Sequence, residues 1–313
     1  NNIANNNVNY GILLSSSSNN NLANITGNSN YWFGIFLYSS SNNNQLTGIT
    51  ANLNLYGILL YSSSNNNLTD ITANSNLHSG IYLEFSSNNN LTDITANSNL
   101  VEGILLYSSS NNTFNSGSIN DTKQNAIHLS EISSFGNTFR NISITNTNLS
   151  YYDVKLLTAS INRTSFIDMP HIGNYSFNKN TVIFKNSQFG EIRFLAPISG
   201  TGTNLSNDVR IGNNSAIVNS SRNVGLNKSA NITFYNLPTN FEKPVILRDG
   251  KDICDSTTSP KCYNFTSLNA GTVIFNVSSW TSYSIMDLTN FYLFGCGPLN
   301  IPNTRYVLQK DLG

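Results

Sequence analysis

Ser63–Leu77 reads SSNNNLTDITANSNL, and the same fifteen residues return unchanged at Ser86–Leu100, 23 residues later. The interval persists on both sides of this pair. A glycine followed by isoleucine stands at Gly11, Gly34, Gly57, Gly80 and Gly103, and Ala126-Ile127 continues the series. Two residues beyond each isoleucine comes a leucine, at Leu14, Leu37, Leu60, Leu83, Leu106 and Leu129. Residues i and i+2 share one face of a strand, so these columns predict a short strand in every copy. A second apolar pair, Leu22/Ile25, Leu46/Ile49, Leu68/Ile71 and Leu91/Ile94, predicts another. The Ser/Asn runs between them favour turns and carry no helical period.

A period of this length signals a solenoid. The leucine-rich template L-x-x-L-x-L-x-x-N fits Leu68, Ile71, Ala73 and Asn76, then loses step, and the rest of the unit holds a second strand where a helix is needed. The reading is therefore an all-β, right-handed parallel β-helix with about 23 residues per coil. Equivalent strands should stack about 4.8 Å apart, with Ile and Leu ladders inside and Asn ladders at the turns.

Composition sets limits. Of 313 residues only 10% are charged, yet 39% are hydrophobic and 11% aromatic, enough to bury a core. Net charge is zero and the first Lys or Arg is Lys123, which excludes a nucleic-acid or anionic-membrane surface for the first third. No apolar run reaches the roughly 18 residues of a membrane span. The rhythm breaks near residue 166, where strand-like runs such as VIFK from 182 and TVIFNV from 272 lack the 23-residue step. The expected division is repeats over 1–166, irregular terminal coils over 167–225, a small antiparallel, sandwich-like unit over 226–286, and the start of a further β-helix module over 287–313.

The pattern Gly-Ile-x-Leu, then Ser-x-Asn-Asn, then an apolar residue resembles the repeats of NosD-type proteins. Those include a periplasmic accessory factor for copper insertion, and the wider clan includes pectate lyases, polygalacturonases and alginate epimerases. Asn-rich versions resemble archaeal cell-surface proteins. The resemblance covers about residues 1–166 and implies the fold; it says little about activity, because the shared residues are those that build the coil. Lyases of this clan pair Ca²⁺-binding acids with an Arg or Lys base, and residues 1–122 contain neither base. The carboxylates Asp70, Glu84, Asp93, Glu102 and Asp121 fall at different points of the coil, except that Asp70 and Asp93 share a column. His78, His128 and His171 are scattered, and only Met169-Pro170-His171 sets two candidate copper ligands together. The repeats thus read as non-catalytic, without a cofactor.

Aligned on the second-strand isoleucine, the preceding residues are Asn24, Gly48, Asp70, Asp93 and Asn141. These types tolerate a left-handed backbone, and a column that accepts glycine has no need of a carboxylate. The alternative is that Asp70 and Asp93 hold Ca²⁺ together. Alternation points Leu13, Phe36, Leu59, Tyr82, Leu105 and His128 outward, with Tyr38, Tyr61 and Tyr107 beyond them, an apolar and aromatic stripe of the kind that marks an interface. Its candidate binding residues are Phe36, Tyr38, Leu59, Tyr61, Tyr82, Leu105 and Tyr107. Cys254 and Cys262, eight apart among turn residues, are expected to close a hairpin loop by a disulfide. Cys296 is then odd, and its partner is expected downstream. Sequons at Asn24, Asn67, Asn90, Asn111, Asn141, Asn162, Asn231 and Asn276 are glycosylation candidates. With the disulfide and sparse charge they favour an exported protein, extracellular or periplasmic. The expected function is a structural, adhesive or surface-interaction module that meets other cell-surface chains or polysaccharide. The rival is a polysaccharide-binding or polysaccharide-modifying (lyase-, hydrolase- or epimerase-like) β-helix, with a NosD-type copper accessory protein as a further alternative.

Overall fold

The computed structural model describes residues 2–159, 161–293 and 305–308. The chain winds into a parallel β-solenoid of about 8 turns of roughly 23 residues. Each coil adds one strand to each of two sheets. The Gly-Ile strands, Tyr10–Ser15, Phe33–Tyr38, Tyr56–Tyr61, Ile81–Glu84, Ile104–Tyr107 and Ile127–Ser130, pair in parallel register and continue through Val154–Leu156 to Tyr175–Asn180. The second strands, from Asn21–Thr26 through Asn67–Thr72 and Asn90–Thr95, form the opposite sheet and run on to Val182–Asn186. Ile stacks on Ile and Leu on Leu, as the columns predict. Ile58, Ile81, Ile104, Leu60, Leu83 and Leu106 are all 0% exposed.

In the second strand Leu68 and Ile71 are both buried although three residues apart, a spacing that strict alternation forbids. The residue between them resolves the conflict. Asn24, Gly48, Asp70, Asp93 and Asn141 have φ of 53°, 66°, 57°, 55° and 49°, so each coil carries a left-handed bulge that returns the isoleucine to the core. The column is a backbone device, which explains why glycine serves as well as aspartate.

The turns are held by buried amides. Asn44, Asn66, Asn89 and Asn112 are at most 1% exposed, and each Oδ1 beyond the first accepts from both the backbone N–H and the Nδ2 of the asparagine one coil earlier. Asn54, Asn76 and Asn99 form a second such ladder, and Ser41, Ser63, Ser86 and Ser109 a third. Burial without loss of hydrogen bonds is what lets so polar a sequence form an interior.

Beyond the coils the sheets change direction without breaking. Gly190–Phe194 pairs antiparallel with Val182–Asn186, and Ala230–Phe234, Val273–Val277 and Cys262–Asn264 extend the same sheet. A separate antiparallel sheet holds Val209–Gly212, Ser215–Val218, Ser282–Asp287, Pro244–Arg248 and Asp252–Ile253. The two meet where Phe275 and Tyr283 rings lie 6.4 Å apart. The Cys254–Cys262 disulfide is formed. It does not close a hairpin, however. Cys254 follows a strand of the separate sheet and Cys262 begins a strand of the long one, so the bond ties two sheets together. Asn290–Leu293 and Arg305–Leu308 pair in parallel. Cys296 and most of the stretch in which a further module is expected lie outside the described residues.

Candidate functional site

The outer face of the Gly-Ile sheet carries all seven expected binding residues. Phe36, Leu59, Tyr82 and Leu105 stand in one column, continued by His128 and Lys155. Tyr38, Tyr61, Glu84 and Tyr107 form a parallel column. The expectation of uniform exposure fails. Tyr38 is 42% exposed, but Phe36 and Leu59 are buried at 8% and 5%. The rings of Tyr10, Phe33 and Tyr38 lie against Phe36.

Two of these rings, with Tyr56, were hidden from alternation. Tyr10, Phe33 and Tyr56 sit two residues before an inward isoleucine and should point inward with it. Instead Phe33 lies 4.6 Å from the outward Phe36, and Tyr56 lies 5.7 Å from the outward Tyr82. The strand pairing skips the intervening glycine, with Phe33 opposite Tyr56 and Ile35 opposite Ile58. A Cβ on Gly57 would stand 2.5 Å from the Gly80 carbonyl oxygen, so only glycine admits this approach. The result is a run of ring contacts over successive coils. One line goes Tyr10, Phe33, Tyr56, Tyr82 and another Tyr38, Tyr61, Phe85, Tyr107, with centroids 5.5 to 5.9 Å apart. Trp32 and Phe85, 42% and 47% exposed, rim the face on its two sides. Burial, with Glu102 and Glu84 beside it, raises the Tyr56 hydroxyl pKa; burial and Glu84 do the same at Tyr82. Both hydroxyls therefore remain protonated donors.

Along the axis the aromatic half gives way to titratable groups. The column of Tyr10, Phe33 and Tyr56 continues as Ser79 and Glu102. The histidines that look scattered in sequence meet here. His128 Nδ1 lies 3.1 Å from Glu102 Oε1, Ser79 Oγ donates to Glu102 Oε2 at 3.0 Å, and His78 Nδ1 lies 2.9 Å from Ser79 Oγ. The His78 ring also stacks on Tyr56 at 4.5 Å. The spacings 78, 102 and 128 are close to one coil each, which is the signal that could have joined them.

The other candidates stay apart. Asp70 and Asp93 are exposed at their bulges, on the opposite sheet. Met169 packs against the core while His171 is exposed, so the two do not share an environment. Among the described residues no three His, Cys, Asp or Glu side chains are arranged to hold a metal ion. Of the sequons, Asn24, Asn90, Asn111, Asn141 and Asn162 are exposed, and Asn67, Asn231 and Asn276 are half-buried. No helix among the described residues is long and apolar enough to cross a membrane.

Residues 24–178 match the family model described as NosD, periplasmic copper-binding protein. Over these residues the coils are similar to NosD-type repeats. That match spans the His78–Glu102–His128 chain and the aromatic face from Trp32 onward, while Tyr10 lies before it. No curated protein matches the chain. Among solved structures, the tailspike protein gp49 from Acinetobacter baumannii bacteriophage Fri1, a capsular polysaccharide depolymerase, is similar at 11% identity and a TM-score of 0.28. The alignment covers 88% of this chain and 65% of that one. A likeness of this degree carries no inference about the present chain.

Proposed function

We propose that the NosD-type solenoid is a non-catalytic surface-interaction module that works outside the cytoplasm and binds an extended polysaccharide along the outer face of its Gly-Ile sheet. The observation that carries this reading is the continuous run of ring contacts from Tyr10 to Tyr82 and from Tyr38 to Tyr107. Trp32, Tyr38 and Phe85 remain more than 40% exposed on this face, and apolar surface left to solvent in this way favours a ligand. Tyrosine offers an apolar ring and a polar tip together, which suits sugars, whose rings have apolar faces and hydroxyl edges. The positions recur at each coil, about 4.8 Å apart, so a linear polymer meets similar contacts along its length. The exposed sequons are proposed glycosylation sites, and the family's periplasmic description agrees with an exported protein.

The test is affinity electrophoresis against a panel of soluble polysaccharides, with wild type and the Tyr38→Ala/Tyr61→Ala double variant. Wild type should be retarded by at least one polymer, the double variant about tenfold less, and the polymer should keep its length. Equal retardation of both proteins, or none of wild type, refutes the reading. Far-UV circular dichroism confirms that the variant is folded.

A further inference from the structure

We infer that His78 is a hydrogen-bond acceptor built into the aromatic face, and that it selects neutral, hydroxyl-rich polysaccharide over acidic polymers. This rests on the polysaccharide reading above and names the ligand class. The argument starts from Glu102, which is 5% exposed. A buried carboxylate persists only if its oxygens receive hydrogen bonds. Oε1 faces His128 Nδ1, so that nitrogen carries the proton. Oε2 receives the Ser79 hydroxyl. Ser79 has one proton to give, and having given it to Glu102 its oxygen can only accept from His78 Nδ1. The reverse arrangement would strand a buried carboxylate oxygen, the costlier outcome.

Both imidazoles thereby carry a proton on Nδ1, and in the neutral ring Nε2 then bears the lone pair. Their surroundings differ. His128 Nε2 is buried and has no partner among the described residues. The His78 side chain is 34% exposed, and its ring lies against Tyr56. A sugar resting beside Tyr56 therefore meets an acceptor for a hydrogen bond from one of its hydroxyls. Burial lowers the His78 pKa, with Glu102 partly opposing, which favours the neutral acceptor at neutral pH. A uronate or sulfate would set its charge beside that lone pair and near Glu84 and Glu102. No Lys or Arg occurs before residue 123 to offset it. The cation on this face, Lys155, stands beyond His128 in the adjoining column.

Two measurements test the inference separately from the reading beneath it. Long-range ¹H–¹⁵N spectra of the labelled wild-type protein at pH 7.5 should show both His78 and His128 protonated at Nδ1. The Glu102→Gln variant should lose that uniform tautomer. A His78 protonated at Nε2 overturns the acceptor whether or not any polysaccharide binds. In affinity electrophoresis a neutral glucan or galactomannan should retard wild type more than polygalacturonate does. His78→Phe, which keeps a ring on Tyr56, should weaken neutral-polymer binding about tenfold, the scale of one hydrogen bond. Preference for polygalacturonate, or unchanged binding by folded His78→Phe, overturns the selection. Absence of all polysaccharide binding sinks the functional reading and the selection with it, while the tautomer result still decides the acceptor.

Discussion

Replacing Asn89 by alanine removes one rung from a buried ladder, and its cost can be worked from the bonds it breaks. Asn89 Oδ1 accepts from the Asn66 backbone N–H at 2.9 Å and from Asn66 Nδ2 at 3.1 Å, while its own Nδ2 donates to Asn112 Oδ1 at 3.1 Å. Asn112 Oδ1 keeps its bond from the Asn89 backbone N–H, so its loss is partial. The two Asn66 donors are stranded at a site 1% exposed. Each buried unsatisfied group costs about 1–3 kcal/mol, so Asn89→Ala should destabilise the fold by about 3–5 kcal/mol. The matched control is Asp93→Asn, four residues on. Asp93 is exposed, and asparagine already occupies the equivalent bulge at Asn24 and Asn141 with φ of 53° and 49°. Its substitution should stay within about 0.5 kcal/mol. Equilibrium urea unfolding followed by far-UV circular dichroism gives both numbers from the midpoint shifts at constant slope. A loss below about 1 kcal/mol for Asn89→Ala, indistinguishable from the control, would falsify the claim that the amide ladder holds the turns.

Three further outcomes are expected. Gly57→Ala brings a Cβ to 2.5 Å from the Gly80 carbonyl oxygen, a backbone atom, and should cost about 1–3 kcal/mol in the same assay; a neutral effect would refute the close approach. Desolvation raises the Asp287 pKa but is outweighed by backbone N–H donors of Glu242, Lys243 and Thr289, which bring it from 3.8 down to about 2. Between those values the unfolded chain binds more protons, so this contribution is present above about pH 4 and is lost as pH falls through 2. The Tm difference between wild type and Asp287→Asn should therefore shrink from pH 5 to pH 2, and a constant difference refutes the linkage. Because Asp70 and Asp93 read as bulge residues, adding millimolar Ca²⁺ or a chelator should leave Tm unchanged; Ca²⁺ stabilisation abolished by Asp93→Asn would overturn that.

Much of the fold is written in the columns. Ile and Leu at i and i+2 recur at 23 residues because each coil meets only its neighbours, and the left-handed column shows itself by accepting glycine, asparagine and aspartate alike. The face was only half legible. Leu13, Phe36 and Tyr82 follow from alternation, but Tyr10, Phe33 and Tyr56 reach the same surface across a glycine that the strand pairing skips, which alternation cannot express. His78, Glu102 and His128 sit at slightly different points of successive coils, near-coil spacings that hint at nearness, and side-chain reach completes the contact. The antiparallel strands after Val182–Asn186 pair across distances such as 194 to 230 with no repeat to mark them. The two cysteines signalled their bond but not that it joins two sheets.

The register of the coils has a consequence for the gene. An insertion or deletion of one whole 23-residue unit, such as 78–100, leaves every remaining residue on its old column and the antiparallel strands seated on the same final coil. The identical peptides 63–77 and 86–100 show that one unit can serve twice in the stack. Length is then a trait that drift and selection can adjust one coil at a time, lengthening or shortening the face while the fold stays intact.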